Sequence, residues 1–289
     1  MINLVLSFIV NFIILSTFLN LVNAFYPLGG TMLYQIFHVV GISYTVDHVI
    51  YLYSFIGMVI VCLLAKTPVA EQLACFSLGC RAPQGGHADI LNRAMCVVCN
   101  QAGISREQFH LYEIPVPYAN AMAVGSNNIA VTTAALQWLT QDDLAGILAH
   151  EVGHIEHHDT KSGLMTYAMD LVGNLVIRIY NIIIQVCVVL SRIPLVGLFM
   201  SICSLFFSIQ VWILAIVLSF PRLIAARFMS RQNEYDADKY ACEIGLGRQL
   251  YSGLDKVTAG EQKLPFYKRI VADHPDTQKR LRRIVAYVQ

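Results

Sequence analysis

The chain has 289 residues, of which 56% are hydrophobic and only 13% are charged. An ordinary soluble domain carries about 25% charged residues, so the composition excludes a purely soluble protein and indicates a membrane part beside a globular part. The formal net charge of +1 provides no basic surface for nucleic acid. We therefore expect no nucleic-acid partner.

The N-terminal region, residues 1–65, contains one formal charge, Asp47. Two apolar segments, Ile2 to Val22 and about His48 to Ala65, each approach the ~20 residues that cross a bilayer. The alternative for the first segment is a signal peptide cleaved after Val22-Asn23-Ala24, which the lack of a basic N-terminal region disfavours. The sequence predicts two transmembrane helices here.

Residues 66–165 have the composition of a globular domain, and we expect them to form its first part. A helix is predicted from Asp89 to Ala102, closed by Gly103. Three extended segments follow, and they predict a small β-sheet: Phe109–Ile114, Ala119–Val124 and Asn128–Thr132.

Eight cysteines are present, and two of them form the pattern Cys96-Val-Val-Cys99. This spacing is typical of redox or metal pairs, but no second pair at zinc-finger spacing accompanies it. It also lies within the predicted helix rather than after a strand. We expect both thiols to pack in the interior.

A second apolar block covers residues 166–221 and predicts a membrane hairpin. Ile193 to Phe220 is free of formal charge, whereas Arg178 interrupts the preceding arm. Either Arg178 snorkels to the surface, or this arm is shallow or covered by protein. Residues 222–289 are polar and helical again, as the second part of the globular domain. The predicted fold class is a mainly α membrane protein with about four apolar membrane segments and a small β-sheet.

The chemistry is concentrated in His150-Glu151-Val152-Gly153-His154, on a helix predicted from Asp142 onward. Thr140 and Asp143 fit a capping box at its start. The two histidines lie one turn apart on one face and can bind one Zn²⁺ through neutral imidazoles. Glu151 is placed to take a proton from a water acidified by the metal and to pass it to the leaving amine.

A third protein ligand is needed. His157 shares the face of His150 and His154 but lies ~10 Å along the helix axis from His150, so we expect it in a solvated helix end. Glu234 and Asp238 form a later acidic pair, in which one carboxylate can bind the metal and the other can orient a ligand imidazole. Such a pair alone is usually a solvated helix face, but its occurrence together with the zinc motif favours Glu234.

The chain resembles the HtpX-type membrane metallopeptidases, a gluzincin family that also includes the CAAX prenyl endopeptidases. The resemblance covers nearly the whole chain: the two N-terminal spans, 119–123, Leu139 to Thr160, the apolar block, Glu234-x-x-x-Asp238, and His274-Pro275 followed by Arg280. It implies a gluzincin-type zinc-protease domain that holds one Zn²⁺ per chain, with Glu234 as the third ligand.

The resemblance also implies the substrate contacts. Asn120, Ala121, Met122 and Ala123 would line the cleft, where an extended peptide can pair with the edge of the sheet. His274 and Arg280 would hold the substrate or the transition state, and the alternative for His274 is a helix start before Pro275.

The function implied is a membrane-bound zinc-dependent endopeptidase that acts on unfolded, misfolded or membrane proteins in membrane protein quality control. One alternative is a CAAX-type prenyl-protein endopeptidase, which is disfavoured because those enzymes have more spans. Another is a catalytically silent zinc-binding membrane scaffold, which the intact Glu151 disfavours. We expect protein or peptide substrates and the lipid bilayer as partners.

The distribution of basic residues predicts the orientation. The connection from Asn23 to Asp47 contains no Lys or Arg, whereas the other side carries several near the ends of the apolar segments: Lys66, Arg81, Lys161, Arg222, Arg227 and Arg231. The positive-inside rule then places the catalytic domain in the cytoplasm, and the resemblance implies a bacterial inner membrane.

Overall fold

The computed structural model describes residues 2–25, 46–261 and 277–288. These residues form a mainly helical protein with one three-stranded sheet, which confirms the predicted fold class. His274, predicted to contact substrate, lies outside the described residues.

The helices of the described residues are numbered in chain order: α1 (Ile2–Phe25), α2 (Val46–Ala65), α3 (Pro68–Ser77), α4 (Gly86–Ala102), α5 (Thr133–Trp138), α6 (Gln141–Glu156), α7 (Asp159–Leu190), α8 (Gly197–Ile213), α9 (Ser219–Glu243), α10 (Gly247–Glu261) and α11 (Thr277–Val288). The strands lie between α4 and α5: β1 (His110–Ile114), β2 (Ala121–Val124) and β3 (Asn128–Thr132).

The chain divides into two compact units. One, called here the apolar unit, comprises Met1–Ala65 and Met165–Arg227. The other, called the site unit, comprises Lys66–Leu164 and Phe228–Gln289. In the described part of the chain, three helices are long and apolar enough to cross a membrane, and a fourth span results if Val49–Leu64 is taken together with Pro68–Ser77.

The apolar unit carries a small polar cluster among its hydrophobic helices. Ser7 Oγ and Asn11 Nδ2 on α1 donate to Asp170 Oδ1 on α7, at 2.6 and 2.9 Å. Gly173 makes room for this contact, because a Cβ at that position would lie 2.0 Å from Asn11 Oδ1. Side-chain hydrogen bonds of this kind link helices where apolar contact alone gives little specificity.

Arg178 lies within one continuous 32-residue helix, α7, which begins at Asp159 rather than near the start of the apolar block. Its side chain is exposed on the helix surface. Hydropathy marks only the apolar part of this helix, whereas its backbone hydrogen bonding continues through the polar first turns.

The sheet of the site unit has the strand order β1-β3-β2. β3 lies in the centre and is buried throughout, pairing parallel with β1 and antiparallel with β2. Ala123 of β2 is opposite Ile129 of β3, and Tyr112 of β1 is opposite Ala130. β2 is therefore an edge strand, and the core packs α4, α6 and α10 around the sheet.

Local sequence signals set the ends of two helices as predicted. Gly103 adopts φ of 69° and closes α4 by donating to Cys99 O, a left-handed cap that favours glycine. Thr140 and Asp143 form the predicted capping box of α6. This helix carries the histidine motif, and its start is thereby fixed.

Candidate metal centre

Candidate ligand atoms of three residues converge between α6 and α9. His150 Nε2 lies 3.2 Å from His154 Nε2 and 3.4 Å from Glu234 Oε2. His154 Nε2 lies 3.6 Å from Glu234 Oε1. This is the group of histidine, cysteine and acidic residues that can hold a metal ion within the described chain. The two predicted histidines and the predicted glutamate therefore meet at one point.

The approach of α9 to α6 depends on Gly153. A Cβ at this position would lie 3.0 Å from Ala237 Cα and 3.2 Å from the Ala237 carbonyl oxygen. Since these are backbone atoms, a side chain here forces α9 away from α6. Gly153 thus lets Glu234, one turn before Ala237, reach the histidines.

A carboxylate orients each imidazole from behind. His150 Nδ1 lies 3.0 Å from Asp238 Oδ1, and His154 Nδ1 lies 3.2 Å from Asp159 Oδ2. A neutral imidazole that donates from Nδ1 presents a lone pair at Nε2. With both imidazoles in this tautomer, the two Nε2 atoms and the Glu234 carboxylate form a set of acceptors suited to a metal cation.

Arg280 is the cation nearest to the two acids. Its Nε and Nη2 donate to Asp238 at 2.9 and 2.7 Å, and Nη1 is ion-paired with Glu234 Oε2 at 2.6 Å without hydrogen-bond alignment. Arg280 is only 1% exposed. Burial pushes the pKa of Asp238 up, but hydrogen bonds from His150 and Arg280 outweigh it and hold that pKa below its usual value. Asp238 is thus a charged acceptor in the folded protein.

Glu151 is held by the edge strand. Its Oε2 accepts a hydrogen bond from the backbone N–H of Ala123, at 2.8 Å, and its side chain is buried. Because N–H groups alternate along a strand, those of Ala121 and Ala123 point away from β3, and that of Met122 points toward it. Asn120 Oδ1 accepts from the Ala121 N–H at 3.0 Å. Both outward donors of this edge are therefore occupied.

The donor set fits a tetrahedral zinc ion. Zinc bonds to nitrogen of 2.0–2.1 Å at tetrahedral angles place neighbouring ligand atoms ~3.3 Å apart. The two Nε2 atoms lie 3.2 Å apart, close to this value, and each lies 3.4–3.6 Å from a different carboxylate oxygen of Glu234. Two imidazoles and a carboxylate leave a fourth position open, as in catalytic rather than structural zinc sites.

The other predicted residues take several places. His157 caps the end of α6 and is exposed, as predicted, as is the neighbouring His158. Asn120, Ala121 and Arg280 line a small cavity that also reaches His150 and Glu151. Cys96 and Cys99 are free thiols; Cys99 is buried as predicted, but Cys96 is exposed, so the expectation that both pack in the interior was wrong for Cys96.

Two features of the site were missed by sequence reasoning. Asp159 supports His154 because His158, with φ of 60°, turns the chain back at the end of α6. The signal was an acidic residue just past the motif helix, which resembles an ordinary helix start. Arg280 contacts Asp238 from 42 residues away in sequence, and nothing in the local pattern indicates that contact.

Comparison with known proteins defines the class. The sequence profile of Peptidase family M48 matches residues 87–288. This is more than half of the chain, which therefore belongs to Peptidase family M48. The predicted resemblance to HtpX-type metallopeptidases is confirmed by this match and by the relatives below.

Individual relatives match over shorter stretches. A Protease HtpX homolog of Helicobacter pylori strain J99 is 32% identical over 135 residues, 45% of this chain and 40% of that protein. The homolog of Helicobacter pylori strain Shi470 is 25% identical over 191 residues, 59% of this chain and 58% of that protein. The chain thus spans about half the length of these relatives. The crystal structure of S. mikatae Ste24p is 18% identical and has a TM-score of 0.49, covering 92% of this chain and 64% of that chain.

Proposed function

We propose that the chain is a membrane-bound zinc-dependent endopeptidase that hydrolyses peptide bonds of misfolded or membrane proteins. The observation that carries the proposal is the convergence of ligand atoms of His150, His154 and Glu234 within 4.8 Å of one another, with Glu151 lining the same cavity as His150. A site that only stabilises the fold would need no general base beside an open position.

The residues divide the chemistry among them. A bound zinc ion supplies Lewis acidity, which makes water a nucleophile near neutral pH. Glu151, aligned by the Ala123 N–H, takes the proton released as water attacks the scissile carbonyl carbon. It then delivers that proton to the nitrogen of the leaving amine as the C–N bond breaks. Asp238 and Asp159 keep the two imidazoles oriented throughout.

The free edge of β2 supports recognition of an extended backbone. The carbonyl groups of Ala121 and Ala123 face this edge by the same alternation as their N–H groups. A substrate strand would donate its N–H groups to these carbonyls, beside Asn120 and close to Glu151. Such binding requires an unfolded or accessible segment, because a folded domain has its N–H groups already paired.

A cavity of about 40 Å³ next to Glu151 supports a side-chain preference. Its walls are mostly apolar and include Leu139, Leu144, Ile147 and Leu254. Burial of a methylene group is worth ~0.8 kcal/mol. We therefore expect a small apolar side chain to be favoured near the scissile bond, with a modest rather than absolute preference.

The proposed location is a bacterial inner membrane with the site unit in the cytoplasm. Support comes from the apolar helices and from the basic residues near their ends, which favour the cytoplasmic side. Reporter fusions after Lys66 and at Gln289 should give cytoplasmic signals. External signals at both points would contradict this orientation.

Cleavage of an unfolded protein tests the proposed activity. The purified full chain in detergent should cleave casein at many sites, and a zinc chelator should abolish the cleavage. A folded soluble domain should be spared until it is unfolded. The Glu151→Gln variant is the matched control for contaminating proteases. Cleavage confined to a prenylated C-terminal peptide, or none beyond that control, would contradict the proposal.

A further inference from the structure

Helix α3 has two faces of opposite character. Glu71 and Cys75 are buried on one face. On the other, Val69, Leu73 and Phe76 are 63%, 61% and 82% exposed. These three positions are spaced four and three residues apart and share one side of the helix. Water-exposed apolar side chains in such a row mark a binding surface rather than an ordinary solvated face.

The buried face fixes α3 to the turn between β2 and β3. Glu71 accepts hydrogen bonds from Ser126 N at 2.9 Å, Ser126 Oγ at 2.6 Å and Asn128 Nδ2 at 3.0 Å. Gly125 in the same turn has φ of 69°, and a Cβ there would lie 2.3 Å from Glu71 Cδ. The helix and the turn are therefore fitted to one another.

The chain before α3 indicates what covers the exposed face. The apolar helix α2 ends at Ala65, and α3 begins at Pro68 after the exposed Lys66 and the helix-capping Thr67. With 10 residues, α3 is ~15 Å long and too short to cross ~30 Å of hydrocarbon. The apolar helix α2 and the helix α3 are bent by 76° relative to one another, so the row follows directly after an apolar helix and turns away from its axis.

We propose that α3 lies in the lipid–water interface, with Val69, Leu73 and Phe76 against the acyl chains. Lys66 at its start suits the headgroup region. The lipid surface would thereby hold the β2–β3 turn through Glu71, and with it the strand that orients Glu151. The bilayer would then contact the site unit directly, in addition to surrounding the apolar helices.

Fluorescence quenching tests the position of α3 without reference to activity. A Phe76→Trp variant, in a background of Trp138→Phe and Trp212→Phe, carries a single indole. It is reconstituted in phosphatidylcholine vesicles with or without 6,7-dibromo acyl chains. An interfacial helix buries its apolar face ~5–10 Å into the boundary of headgroups and chains, so emission should fall about twofold or more with the brominated lipid. Aqueous iodide should quench the indole in detergent-free vesicles far less than free tryptophan.

The outcomes separate the possible occupants of this face. No quenching by brominated lipid together with full quenching by iodide would show an exposed face and overturn the proposal. No quenching by either agent would show a protein cover, such as a second copy of the chain, and would also overturn it.

A second experiment measures the effect on the site and rests on the proposed function. Leu73→Gln with Phe76→Gln should lower cleavage of a vesicle-tethered unfolded peptide, while cleavage of casein in detergent stays unchanged. Tyr251→Gln with Tyr287→Gln, which changes exposed aromatic residues elsewhere in the site unit, is the matched control and should leave both cleavages unchanged. An equal loss of cleavage of the tethered peptide in the two double variants would contradict a specific role for α3. If the unmodified protein cleaves nothing, the proposed function fails, and the quenching result alone decides the position of α3.

Discussion

Two clusters of the site unit combine a buried glutamate with histidine and arginine, but their geometry differs. At the metal centre, His150, His154 and Glu234 turn acceptor atoms toward one point. At Glu113, which is 2% exposed, Oε1 instead accepts from Arg81 Nη2 at 3.1 Å, from Thr133 Oγ1, and is within 3.3 Å of His87 Nδ1. Donors already surround this second carboxylate, so it needs no ion.

The difference shows how a metal centre is distinguished from a structural polar cluster with the same residue types. Donors meeting an acceptor satisfy one another, and the cluster stabilises the fold. Buried acceptor atoms that face one another without a donor destabilise the fold unless a cation is bound between them. At the metal centre, Arg280 supplies part of the positive charge: its Nη1 lies 2.6 Å from Glu234 Oε2 and its Nη2 lies 3.3 Å from His150 Nε2.

The largest expected effect is on catalysis at the metal centre. Glu151→Gln keeps the size of the side chain but removes its ability to take a proton, so cleavage should fall ~10²–10⁴-fold. The zinc content, measured by atomic emission, should stay at one ion per chain. Near-normal cleavage by this variant would remove Glu151 as the general base.

Loss of a metal ligand should have the second largest effect, which is on zinc affinity. Glu234→Ala leaves two imidazoles, and zinc affinity should fall by more than the 10–100-fold typical of a residue that only supports a ligand. His157→Ala and His158→Ala are matched controls, because both side chains are exposed at the end of α6, and they should retain zinc. If the His157 or His158 variant lost zinc and the Glu234→Ala variant retained it, Glu234 would not be the third ligand.

The two supporting carboxylates should differ in strength. Asp238 is 2% exposed and is itself held by Arg280, whereas Asp159 is 21% exposed. Asp238→Asn should weaken zinc binding ~10–100-fold, and Asp159→Asn should weaken it less, because water can replace an exposed acceptor. Competition with a chromogenic chelator measures both. A larger loss from the Asp159 substitution would contradict this ranking.

The Glu113 cluster should show a purely structural response. Glu113→Gln should leave zinc binding unchanged and should lower the free energy of unfolding by about 1–3 kcal/mol at neutral pH, because Arg81 and His87 lose their buried acceptor. Denaturant unfolding of the purified chain, followed by circular dichroism, measures the change. Zinc loss in this variant would mean that the two clusters are coupled.

The same cluster predicts a pH dependence. Burial acts to raise the pKa of Glu113, but hydrogen bonds from Thr133, Arg81 and His87 outweigh it and hold that pKa below its usual value. A carboxyl group whose pKa is lower in the folded protein stabilises the fold at pH values above its unfolded pKa of ~4.3. This stabilisation is lost as the pH falls through the folded pKa. The difference in stability between the protein and Glu113→Gln should therefore shrink below about pH 4. A constant difference would contradict this origin.

Local patterns predicted much of the fold and the central residues of the site. The caps at Gly103 and Thr140, the three strands and the two histidines one turn apart follow from short-range geometry. The meeting of Glu234 with the histidines was favoured by the joint occurrence of two motifs and by a resemblance, not by spacing alone. Its structural basis, the close approach of α9 at Gly153, depends on tertiary packing.

Other contacts over long sequence separations could not be predicted. The bridge between Arg81 and Glu113 joins residues 32 apart, and the contact from Glu71 to Asn128 spans 57. Each acid resembles an ordinary polar residue in its own segment. The partner of His154 was missed for a different reason, since it depends on one unusual backbone angle at His158.

X-ray absorption at the zinc K-edge of the purified full chain tests whether His150, His154 and Glu234 hold a zinc ion. The three-ligand site predicts one zinc per chain with nitrogen and oxygen neighbours at ~2.0–2.1 Å, and the loss of the imidazole scattering pattern in a His150→Ala variant. Neighbours at ~2.3 Å would indicate sulfur and would place the metal on cysteines instead. That result, or a chain that retains no zinc, would contradict the account.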